Sequence, residues 1–155
     1  MIARVSTLPA ALAKRVADHN LIIFDGECVL CSAFYRFVLR VDTDQRFVFA
    51  TAQSDLGQAF FRAMGMPTTD FETNLVITDG TIHTHLDSVA AVMRRVGWPW
   101  RIFALVRWLP GWIKTPLYRT IARNRFRMLG RYDTCLMPDA EAQIRFLPGG
   151  WEPQK

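Results

Sequence analysis

Read by the spacing of its apolar positions, the chain resolves into short alternating elements. Leu21 to Phe24 is an apolar run closed by Asp25-Gly26, which predicts a buried strand entering a turn. Leu30, Phe34, Phe37 or Val38, and Val41 then recur at spacings of three and four, the stripe of an amphipathic helix. "RFVFATAQ", Arg46 to Gln53, alternates and is β-branched and aromatic, so it reads as a second strand. Ser54 is positioned to cap a helix over "DLGQAFFRAMG", which stops at Gly65 ahead of Pro67. "NLVITDGTIHTHL" reads as a hairpin turning at Asp79-Gly80, and Asp87 or Ser88 is expected to cap the helix "SVAAVMRRVG".

The predicted order is strand, helix, strand, helix, hairpin, helix. Two parallel crossovers and an antiparallel pair imply one mixed sheet with helices on its faces. At 155 residues the chain is expected to be a single α/β domain, its core at about 21–97, with a helical extension over about 98–147 broken at Pro110 and Pro116. The N-terminus lacks the apolar core of a signal peptide and reads as a short helix capped by Ser6 or Thr7 before Pro9. Its freedom from acids until Asp18 leaves a transit peptide open, and the expected compartment is a reducing cytoplasm.

Composition supports a globular protein, with 50% hydrophobic and 21% charged residues. Charge changes the picture more. The net +5 hides a division: from Ser88 to Tyr132 there are nine Arg, one Lys and no acid, whereas the other nine basic residues share the remaining chain with all fourteen acids. Trp98, Trp100, Trp108 and Trp112 fall in the basic part. One reading has Ile102, Leu105, Val106 and Leu109 pack on the sheet while the arginines stay wet. Another makes segment 88–132 a binding face for an anionic membrane surface or a protein partner. No recognisable nucleic-acid module accompanies the charge, and no apolar stretch is long enough to span a bilayer.

Three cysteines, an odd and low count, exclude a disulfide framework. Cys28 and Cys31 stand where a strand hands over to a helix, with Asp25 three residues ahead. Unpaired first-turn N–H groups and the helix dipole favour a thiolate at that point, lowering its pKa and making it a nucleophile. A second thiol one turn deeper would resolve a mixed disulfide. This chemistry requires a sulfur open to solvent, and the polar neighbours Asp25, Gly26 and Glu27 argue against an apolar interior. Asp25 fits a turn, in which it bonds its own backbone, and also a proton-accepting role. Glu27 is expected to face solvent. Two rivals remain open: inert packing, and a zinc site completed by His83 and His85 if both alternate on one strand. Cys135 reads as a structural residue.

"FDGECVLCSAFYRFVLRVD", "RFVFATAQS", "VITDGTIHTHLDSVAAVMRRVG" and "LYRTIARNRFRMLGRYDTCLMPDAEAQIRFL" together resemble the DCC family of thiol-disulfide oxidoreductases, named for an Asp-Cys-Cys signature. The likeness runs from about Leu21 to Leu147. It implies a thioredoxin-like fold and a dithiol of Cys28 and Cys31 beside Asp25. It calls for no organic cofactor or metal, but for a protein or small-molecule disulfide or dithiol and an external redox partner. Unlike ordinary thioredoxins, the chain has no proline directly before the strand "NLVIT": Glu72-Thr73 stands there, and Pro67 is seven residues ahead of Asn74.

Overall fold

The computed structural model describes residues 2–69, 71, 73–131 and 138–151. Cys135 therefore lies outside the described residues, as does Glu72. At the centre is β2 (Asn20–Phe24), flanked by β3 (Phe47–Thr51), parallel to it, and β4 (Leu75–Thr78), antiparallel. The hairpin partner β5 (Thr81–His83) follows β4 outward, and β1 (Ile2–Arg4) closes that edge, giving the order β1-β5-β4-β2-β3. This mixed α/β arrangement is consistent with the thioredoxin-like fold that the resemblance implies, but only one of the two expected parallel crossovers forms, because β4 runs antiparallel to β2. The hairpin turns at Asp79-Gly80 with φ of 50° and 70°, the paired left-handed geometry that Asp-Gly adopts at low cost.

Because side chains alternate along β2, the strand feeds two cores. Leu21 and Ile23 pack with Leu56, Phe60 and Phe61 of α3 (Asp55–Ala63). Ile22 and Phe24 face the other way, onto Tyr35 and Val38 of α2 (Val29–Val41) and Ala91 and Val92 of α4 (His85–Val96). Ser54 caps α3 as expected, accepting from Gly57 N–H at 3.1 Å. A Cβ on Gly57 would lie 2.1 Å from the Thr51 carbonyl oxygen, so α3 approaches β3 too closely for any other residue.

Several expectations are corrected. β1 was not anticipated; it pairs with β5, so β5 is not an edge. The first helix exists as α1 (Ala10–Arg15), but no side chain caps it, and Thr7 Oγ1 donates instead to the Arg4 carbonyl (2.7 Å). α4 begins at His85, three to four residues early. Thr73 Oγ1 accepts the His85 N–H at 2.7 Å, so a distant loop satisfies the first turn that Asp87 or Ser88 was expected to cap. Gly97 is followed by a 3₁₀ helix, Trp100–Trp108, and then by α5 (Gly111–Leu129), which runs through Pro116. Pro116 withdraws one donor, from the Trp112 carbonyl in the exposed first turn, and that loss does not break the helix. After α6 (Ala140–Gln143), the chain lies along β3: Phe49 N–H donates to the Arg145 carbonyl (2.8 Å) and Thr51 N–H to that of Gly150 (2.7 Å).

Candidate functional site

Where β2 ends, its ladder with β3 continues for one bond, Ala52 N–H to the Phe24 carbonyl at 2.8 Å. This sets Gln53 opposite the Asp25 turn. Asp25 Oδ1 accepts from Glu27 N–H (3.0 Å) and from Gln53 Nε2 (2.7 Å), while Gln53 Oε1 accepts from Gly26 N–H (3.1 Å). The turn is thus cross-tied to β3, and the Asp25 carbonyl accepts the Cys28 N–H (3.3 Å) as the chain enters α2.

Cys28 is the N-cap of α2, with extended backbone, and its Sγ accepts the Cys31 N–H at 3.4 Å. The two cysteines come within 3.2 Å of each other. Bonding from the Cys31 thiol outweighs the opposing effect of burial and, with the Cys31 N–H and Arg125, brings the Cys28 thiol down from 9.0 to about 6. The reciprocal effect, reinforced by burial, pushes the Cys31 thiol strongly up. One sulfur is held ready to ionise and its companion is held protonated.

The site is interior, contrary to the expectation of a wet sheet top. Cys28 is 0% exposed, Cys31 and Asp25 are buried, and both cysteines join the core of Phe24, Tyr35 and Phe49. α5 and the residues after it fold back over the start of α2. Arg131 forms a backbone bridge with Cys28, and its Nε donates to Glu27 Oε2 at 2.9 Å, so Glu27 is ion-paired rather than simply solvent-facing.

Arg125, buried on α5, was not singled out in the sequence. It reaches Asp25 Oδ2 (3.5 Å), Cys31 Sγ (3.9 Å) and the Phe71 carbonyl. Two turns earlier on the same face, Tyr118 meets the His85 ring and bonds Thr73, and burial raises its pKa to about 12. Thr73 precedes β4, the place where thioredoxins carry proline, and it ties that loop to α4.

The histidines do not share a strand face. His83 ends β5, buried, and burial lowers its pKa, whereas His85 opens α4. Among the described residues no group of three or more His, Cys, Asp or Glu could hold a metal ion, and no helix is long and apolar enough to cross a membrane.

A model of the DCC1-like thiol-disulfide oxidoreductase family matches residues 22–131. The uncharacterized protein YuxK of Bacillus subtilis is 32% identical over 130 residues, covering 84% of this chain and 95% of that protein. A chloroplastic DCC family protein of Arabidopsis thaliana is 26% identical over 116 residues, 74% of this chain and 67% of its own. No solved structure matches significantly.

Proposed function

This chain belongs to the DCC1-like thiol-disulfide oxidoreductase family, and from that premise we propose that it catalyses thiol-disulfide exchange through Cys28 and Cys31. The supporting observation is the Cys28 sulfur at the α2 N-cap, accepting a main-chain N–H and lying beside a partner thiol. The Cys28 thiolate attacks one sulfur of a substrate disulfide, forming a mixed disulfide and releasing the other half as a thiolate. Cys31 then loses its proton and attacks the Cys28 sulfur. The second half leaves as a thiol, and Cys28 and Cys31 are left joined. Two electrons have passed to the substrate, and an external dithiol restores the pair.

In this scheme Asp25 receives the Cys31 proton. Proximity is what supports that assignment: one guanidinium, that of Arg125, reaches both the Asp25 carboxylate and the Cys31 sulfur. Its charge also lowers both thiols. Because Cys28 is covered, a substrate reaches it only after the structure around the start of α2 opens, and the Arg131 bridge is one contact that such an opening would break.

Thiol trapping after equilibration in graded dithiothreitol buffers tests the reading. A reversible two-electron transition that vanishes in Cys28→Ser is expected, and Cys31→Ser should accumulate mixed disulfides through Cys28. A pair that stays reduced under every oxidising ratio, with the fold intact, refutes it.

A further inference from the structure

Of the four residues of this segment expected to pack on the sheet, Val106 and Leu109 are half-buried, whereas Ile102 and Leu105, on the 3₁₀ helix Trp100–Trp108, are exposed. With three residues per turn, positions three apart eclipse into one stripe. Ile102, Leu105 and Trp108 form such a stripe and are 56%, 59% and 86% exposed. Trp98 before the helix and Trp112 after it are exposed as well. The neighbouring stripe, Arg101 and Arg107 with Ala104 between them, lines an open hollow against α4 and keeps its cationic ends in solvent.

An apolar ridge rimmed by cations calls for a cover that is apolar in depth and anionic at its surface. We propose that this face docks on an anionic phospholipid bilayer, with Trp108, Leu105 and Ile102 entering the boundary between headgroups and acyl chains and Arg101 and Arg107 binding phosphates. Charge complementarity carries the choice of occupant: from Ser88 to Arg131 there is no carboxylate, and Asp87, which lines the same hollow, is ion-paired with Lys114. Tryptophan is the side chain most at home at headgroup depth, having an apolar body and one N–H donor. The docking is peripheral: among the described residues no helix is long and apolar enough to cross a membrane. It does not depend on the redox chemistry.

Co-sedimentation of the full chain with phosphatidylcholine vesicles, with and without phosphatidylglycerol, tests the proposal, with tryptophan fluorescence recorded alongside. Binding and a blue shift are expected only with phosphatidylglycerol, weakening as salt rises. Arg107→Gln should reduce partitioning about fivefold and Trp108→Ala about tenfold. Both side chains are exposed, and an unchanged circular dichroism spectrum shows that the fold is kept. Equal binding to neutral vesicles, no binding to either, or an unaffected Trp108→Ala variant overturns the proposal. So does retention by polyglutamate but not by vesicles, which assigns an acidic protein partner. Concentration-dependent self-association that shields the tryptophans without lipid overturns it too, and assigns a second copy.

Discussion

Replacing Cys31 by alanine and, separately, by serine isolates the interaction that ionises Cys28. The side-chain hydrogen bond from Cys31 is the largest influence bringing Cys28 from 9.0 to about 6. A hydrogen bond to a charged group contributes about 1.5–3 kcal/mol, equivalent to about one to two pKa units. Alanine removes that donor but leaves the residue-31 main-chain N–H, 3.4 Å from the sulfur, and Arg125 in place. The Cys28 midpoint should therefore rise by about one to two units in Cys31→Ala. Serine supplies an O–H donor at the same position, and its midpoint should stay near that of the parent. Thiolate absorbance followed through a pH titration reads both directly, and reading it on the reduced protein avoids any dependence on substrate access. A Cys31→Ala midpoint still near 6, or identical midpoints in the two variants, would refute the assignment and move the cause to the helix terminus itself.

Four further outcomes follow from the same contacts. Arg125→Met strands the buried Asp25 carboxylate and should cost about 3–5 kcal/mol in denaturant unfolding; adding Asp25→Asn should recover part of that loss, and strict additivity would show that the pair is not coupled. For the reduced protein, a Cys28 pKa lower in the folded state than in the unfolded makes the folded state gain stability as pH rises from about 6 to 9.0, and lose it as pH falls through 6; melting temperatures across that window check the sign, and Cys28→Ser should flatten the slope. Glu27→Gln loosens the Arg131 segment over Cys28, so alkylation should quicken by no more than about fivefold, the range of a partly exposed ion pair, with little change in the pH midpoint. Gly57→Ala should destabilise the fold by about 1–3 kcal/mol, read from the denaturation midpoint, because the new methyl meets main-chain atoms that cannot rotate away.

Local signals carried the sheet and the dithiol's address. The apolar run Leu21–Phe24, the Asp79-Gly80 turn and the Ser54 cap each depend on residues close in sequence, and each element formed where those residues predict. Elements that depend on distant partners were not legible. β1 is three residues long and exists because β5 offers it hydrogen bonds. The strip over Arg145–Gly150 holds because the open edge of β3 accepts it. α4 starts early because Thr73 reaches its first N–H from across the fold. Arg125 was hidden for a related reason. The inward face of α5 carries Lys114, Tyr118, Ala122 and Arg125 at helical spacing, and two of these are cations whose acids, Asp87 and Asp25, are contributed by other elements. A hydrophobic stripe marks an inward face, whereas a stripe that relies on ion pairs looks like solvated surface.

That same packing separates two properties that an exposed Cys-x-x-Cys would combine. What makes Cys28 ionisable is mainly local, the Cys31 thiol and the Cys31 N–H, to which the Arg125 guanidinium of α5 adds. It is also held from a distance: the Arg131 backbone is bridged to Cys28 and clipped to Glu27, and the sulfur lies within the core of α2. Burial alone would push a thiol up, so the low pKa of a fully covered sulfur means that the specific bonds outweigh desolvation. Reactivity then divides into a thiolate fraction set beneath the cover and an opening frequency set by it. A substrate able to displace Arg131, or to offer Glu27 another cation, would gain access to a nucleophile that small oxidants in bulk solvent do not meet.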